Sequence, residues 1–134
     1  MTYPKKVLHN VYWAFDERRS NNLSSFKAKM EKYYKEVLGM DMDFGFNLNM
    51  IDLPTQIVIQ YTTIENNDLV EKEFLLESDS ENSFTNGELL YKIHNKVYEP
   101  LKNTDAVYFE GLILVAEEDP ENPEAPLYMM MLGS

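Results

Sequence analysis

Apolar and polar positions change period along the chain, and each change of period predicts a different element. Residues 5–15 read as a strand. Val7, Val11, Trp13 and Phe15 alternate on one face with His9 in the same row, and Leu8, Asn10, Tyr12 and Ala14 take the other. After a polar connection, Phe26, Met30, Tyr33, Tyr34, Val37 and Leu38 recur at the three-and-four spacing of one buried helical stripe. That spacing predicts a helix from Ser24 to Leu38, capped by Ser24 and ended by Gly39, which accepts a left-handed conformation.

Phe44, Phe46, Leu48 and Met50 then alternate with Asp43, Gly45, Asn47 and Asn49, and predict the next strand. Asp52-Leu53-Pro54 interrupts, and Ile57, Ile59 and Tyr61 against Val58, Gln60 and Thr62 restore the period of two. Glu65-Asn66-Asn67-Asp68 has the composition of a hairpin turn. The returning strand, 69–77, points Val70, Phe74 and Leu76 inward and Glu71, Glu73 and Glu77 outward. Thr85 and Glu88 form a capping box with Phe84 and Leu89 at the staple positions. Leu89, Leu90, Ile93, Val97 and Leu101 are the apolar face of the helix that follows, and Pro100 predicts its end near Glu99. A strand over 106–116, an acidic proline-rich loop over 117–124 and an almost wholly apolar strand over 127–132 close the chain. The order β-α-β-β-β-α-β-β predicts one α+β domain over residues 1–134, a mostly antiparallel sheet of about six strands with two helices packed on it.

Composition narrows the chemistry. With 44% hydrophobic and 13% aromatic residues, the 134-residue chain has enough apolar surface for a core. Having no cysteine, it can build no disulfide, thiol nucleophile or thiolate metal site. No stretch reaches the roughly 18 apolar residues of a spanning helix, and the N-terminus lacks a signal-peptide core, so a cytoplasmic protein is expected. A net charge of −11 argues against nucleic acid and anionic membranes as partners. The charge is also lopsided: the basic residues gather before Glu36, and the carboxylates dominate after it.

Few residues form a catalytic pattern. His9 and His94 are the two histidines, too few for a zinc site without carboxylates, and no H-E-x-x-H is present. Neither G-x-S-x-G nor G-x-G occurs. Asp41 with Asp43, and Glu71 with Glu73, would each share a strand face, as acid–base pairs do and as the charged rows of edge strands also do. Residues 117–124 lack calcium-loop spacing. Met129, Met130 and Met131 suit either core filling or an adaptable binding surface. No cofactor and no metal is expected.

The remaining candidate is acidic. Glu65, Asp68, Glu71, Glu73, Glu77, Asp79 and Glu81 lie on one hairpin and its exit, opposed by Lys72, and Glu117, Glu118, Asp119, Glu121 and Glu124 form a second run. Such a surface steers a basic partner, or serves solubility alone.

The run Phe84-Thr85-Asn86-Gly87-Glu88-Leu89-Leu90-Tyr91-Lys92-Ile93-His94-Asn95, then Tyr108-Phe109-Glu110-Gly111-Leu112 and Pro126-Leu127-Tyr128, resembles small bacterial immunity-type proteins of polymorphic or contact-dependent growth-inhibition toxin systems. The resemblance covers residues 84–134 and implies a non-enzymatic inhibitor that covers a toxin's active site; the acidic charge adds the expectation of a basic toxin, such as a nuclease. It supplies no catalytic residue. The acidic arc, with aromatic anchors such as Tyr91 and Tyr98, would form the interface. Two other readings stay open: a small-molecule pocket or enzyme between sheet and helices using His9, Tyr12, His94 and Glu110, and an accessory protein that mimics nucleic-acid charge.

Overall fold

The computed structural model describes residues 3–9, 11–15, 20–41, 51–101, 104 and 107–133. The strand expected over 43–50, with Asp43, lies outside them. In chain order the elements are β1 (Lys6–Val7), β2 (Trp13–Ala14), α1 (Leu23–Tyr33) running into a π turn (Tyr34–Leu38), β3 (Gln56–Glu65), β4 (Asp68–Glu77), α2 (Asn86–Leu101), β5 (Tyr108–Ala116) and β6 (Leu127–Gly133). The fold is α+β, with six strands in one mixed sheet of order β1-β5-β6-β3-β4, and β2 also paired to β5. Its pairs are antiparallel except β3 with β6.

The first strand is not continuous, contrary to its alternation. Both short pieces pair with β5, and the chain bulges between them. Leu8 takes a φ of 57°, and opposite it Gly111 takes a φ of 112°. A Cβ at Gly111 would stand 3.1 Å from His9 Cα, so glycine is what lets the bulge close on β5. Alternation is lost there, and His9 is exposed rather than set in an apolar row.

The hairpin follows expectation. Asn66 and Asn67 carry φ of 51° and 68°, the double left-handed turn whose twist matches two antiparallel strands. In α1 the cap is Asn22, whose side-chain oxygen accepts from Ser25 N at 2.8 Å, and not Ser24; Asn and Ser serve about equally well there. Gly39 ends the helix at φ 66°, as expected. Val37 and Leu38 leave the buried stripe because a π turn advances by a smaller angle per residue, which rotates them outward; Val37 is 66% exposed.

Thr85 caps α2 by accepting from Glu88 N at 3.1 Å. Its capping box stays open on the other side. Glu88 instead reaches Asp79 N at 2.7 Å and Lys92 Nζ at 3.3 Å, tying the exit of β4 to the helix. Pro100 sits inside the last turn and costs the helix one N–H bond, but with a single residue after it the helix runs on to Leu101, two residues past the expected end.

Both helices cover one face of the sheet. Phe26 and Met30 from α1 and Leu89, Leu90, Ile93 and Val97 from α2 meet Ile57, Ile59, Phe109, Leu112, Tyr128 and Met130 in one core. Each such side chain contributes about 1.5–3 kcal/mol on leaving water. The opposite face is only partly roofed. Val58, Ala125 and Leu127, with Leu75 and Ala116 against them, form a small second cluster beneath residues 117–126.

Candidate functional site

Strand alternation decides what the other face carries. On β4, Val70, Lys72, Phe74 and Leu76 turn to the helices, so Leu69, Glu71, Glu73, Leu75 and Glu77 turn away. On β5, Phe109, Leu112 and Leu114 belong to the core, leaving Tyr108, Ile113 and Val115 on the open side at 49%, 37% and 50% exposure. On β6 the core takes Tyr128 and Met130, and Met129 faces out. The methionine run thus divides: Met130 fills the core and Met129 lies on open surface. The register aligns one residue from each of five strands, Lys6 opposite Ile113, Ile113 opposite Met129, Met129 opposite Gln60 and Gln60 opposite Glu73. At about 4.8 Å between strands this row is roughly 19 Å long.

The loop over the second cluster is tightly built. Asp119 N donates to Ala125 O at 2.8 Å, and Ala125 N donates to Asn122 O at 2.9 Å. Asp119 Oδ2 accepts from Glu121 N, Asn122 N and Asn122 Nδ2 at 3.0–3.2 Å. Its Oδ1 is buried without a hydrogen-bond partner. This folding brings the second acidic run over β4. The Glu73 carboxyl is raised above the ordinary range, first because its neighbours strip away part of its water and then by repulsion from Asp119, Glu121 and Glu71. Among the described residues no cation pairs with Glu71 or Glu73.

The seven acids of the hairpin and its exit therefore do not share one environment. Glu71 and Glu73 share the open face and lie opposite Thr62 and Gln60, while Glu77 at the end of the strand accepts from Gln56 Nε2 at 3.3 Å. Glu65 pairs with Lys72 on the helix side. Asp79 pairs with Lys92 at 2.8 Å, and Lys92 also donates to the Glu77 carbonyl. Asp68 and Glu81 are exposed at opposite ends of β4.

The four groups of the pocket reading lie apart. His94 is fully buried and its Nδ1 accepts from Trp13 Nε1 at 3.0 Å, which leaves the ring proton on Nε2 when the imidazole is neutral. Phe15, Phe26 and Tyr98 surround that ring. Tyr12 is exposed, and its backbone N donates to Tyr34 Oη at 2.8 Å. Glu110 is exposed and lies over Gly133, where an added Cβ would meet its carboxylate. His9 lines a hollow of about 380 Å³ with Lys6, Leu8, Val11, Asp52 and Asn86, which holds none of the other three. Tyr91, one of the suggested anchors, lines a hollow of about 440 Å³ between β4 and α2 with Leu75, Leu76, Asn95 and Lys96.

Of the apolar members of the open face, the sequence marks Met129 as a candidate surface residue but not Tyr108, Ile113 or Val115. Residues 112–115 are Leu-Ile-Leu-Val, so no polar position marks which of them face out. The meeting of the two acidic runs needs the fold of 117–126 over β3 and β4, for which the sequence has no local signal.

Among the described residues no group of three or more His, Cys, Asp or Glu side chains is placed to hold a metal ion, and no helix is long and apolar enough to cross a membrane. Compared with protein-family models, curated proteins and solved structures, the chain matches none of them.

Proposed function

We propose that this chain is a non-enzymatic inhibitor that binds a basic protein, acting as an immunity-type partner of a bacterial toxin domain. The observation that carries the reading is the meeting of Glu73, beside Glu71 on β4, with Asp119 and Glu121 of the later loop, two acidic runs far apart in sequence, with no cation among the described residues to answer Glu71 or Glu73. Gathering like charges costs the free protein stability, and a cationic partner would recover that cost on binding. A domain that cuts nucleic acid has to present Lys and Arg to phosphates, so a nuclease suits this surface. Opposite charge then speeds encounter, and added salt slows it.

The test begins with capture on the immobilised protein at low and high salt, followed by assay of the captured protein's own activity. Support consists of a basic protein whose activity stops when the chain is added. The double charge reversal Glu71→Lys with Glu73→Lys should slow its association by about tenfold or more. A partner that stays active in the complex would sink the inhibitor reading. An association rate indifferent to both salt and charge reversal would remove the acidic surface from it.

A further inference from the structure

The geometry points to the open face of the sheet, centred on Ile113 and Met129 and bounded by Glu71 and Glu73, as the docking surface for a protein segment whose apolar side chains are flanked by Arg or Lys. This rests on the reading that the chain binds a basic protein, and it names where and by what chemistry.

Three observations define the occupant. The first is the mixture of groups. Tyr108, Ile113, Val115 and Met129 are exposed on adjacent strands, an apolar centre of the kind that anchors interfaces, and Met129 can adapt its shape. The second is that the centre has an acidic border on β4, formed by Glu71 and Glu73 with exposed Glu121 of the later loop near Glu73, and with Glu110 on β5 as a further carboxylate. Apolar anchors inside a charged rim are the usual anatomy of a specific interface. The third is polarity along the cross-strand row, with Lys6 at one end and Glu73 at the other. A bound segment would therefore set its basic residues over β4 and its apolar ones over β5 and β6.

The same charges select against other occupants. A second copy of this chain is disfavoured by the net charge of −11 that each molecule carries. Anionic lipid and nucleic acid meet the same repulsion. The buried half of the face, under Ala125, is already taken by the chain's own loop.

The test uses the full chain labelled with ¹⁵N and three peptides, acetyl-Arg-Leu-Arg-Leu-Arg-amide, its Arg-Ser counterpart and its Glu-Leu counterpart. The Arg-Leu peptide should move the amide signals of Gln60, Glu73, Ile113 and Met129. It should bind at least fivefold more tightly than Arg-Ser, while Glu-Leu does not bind. Ile113→Lys and Met129→Lys should each weaken it at least tenfold. Val37→Lys, the same charge change at an exposed apolar residue on the helix side, should cost less than twofold. The mapping on the unaltered chain does not depend on any variant folding. Shifts confined to the helix side, or equal binding of Arg-Leu and Arg-Ser, would overturn this docking surface and leave the basic-partner reading in place. Failure of both basic peptides to bind would overturn that reading as well.

Discussion

Trp13 and Met129 stand on the two faces of one sheet and illustrate opposite arrangements. Around Trp13 every large ring is out of water or nearly so, and its indole N–H is matched to His94. Charged groups beside the core on that side include paired ones, Glu65 with Lys72, and Lys92 with Asp79 and Glu88. Around Met129 neither rule holds. Apolar side chains remain exposed, and Glu71 and Glu73 gather with other carboxylates with no cation paired to them among the described residues. Folding alone accounts for the first face, because each of its features lowers the free energy of the isolated chain. The second contains features that raise it, and such features persist where something other than stability selects them.

The strongest way to break this comparison is to damage the helix side. Phe26 is fully buried among Trp13, Tyr91 and His94. Phe26→Ala should cost about 3–5 kcal/mol in urea unfolding, a large part of the stability of any domain this size. A loss below about 1 kcal/mol would mean that the core is looser than its burial implies. Gly111→Ala comes next. A side chain at its φ of 112°, 3.1 Å from the His9 backbone, should cost about 1–3 kcal/mol, and equilibrium unfolding would measure it. A neutral outcome would show that the bulge between β1 and β2 can move aside.

The open face should answer quite differently. Met129→Lys, at 37% exposure, should change unfolding free energy by no more than about 0.5 kcal/mol, although it is expected to abolish most peptide binding. A large loss of stability would assign Met129 to the core and erase the contrast.

How much of this was legible beforehand follows from the range of the interactions involved. The Asn66-Asn67 turn, the Gly39 stop and the Thr85 cap are settled by backbone chemistry within a few residues, and each is where the sequence places it. Elements with a clear period, such as β3 and β4, are also found as expected. The errors arise where tertiary geometry overrides a local period. Pairing with Gly111 breaks the first strand and turns His9 outward, and a π turn pulls Val37 and Leu38 off their stripe. The acidic candidates were visible as charge, yet their division into paired and unpaired members depends on Lys72 and Lys92 and on the fold of 117–126. Sequence counts charges without showing which of them meet.

The smallest expected effect sharpens that last point. Glu73 holds its proton more tightly in the folded protein than in the unfolded chain, because of partial desolvation and the repulsion of Asp119, Glu121 and Glu71. The folded state therefore binds more protons across the interval between the two pKa values, and stability falls as pH rises through it. The cost is absent below the ordinary carboxylate range and complete above the raised value. Glutamine keeps the shape of the protonated form at every pH, so Glu73→Gln should melt slightly higher than the unaltered chain at about pH 7 and alike near pH 4. The side chain is largely exposed, which keeps the gain small, and salt should shrink it further. Melting curves at the two pH values, each at low and high salt, read all of this directly. A lower melting temperature at neutral pH would mean that Glu73 gains more from its surroundings than it loses. The open face would then be stabilised by its charges just as the helix side is, and the case for a cationic partner would lose its main physical motive.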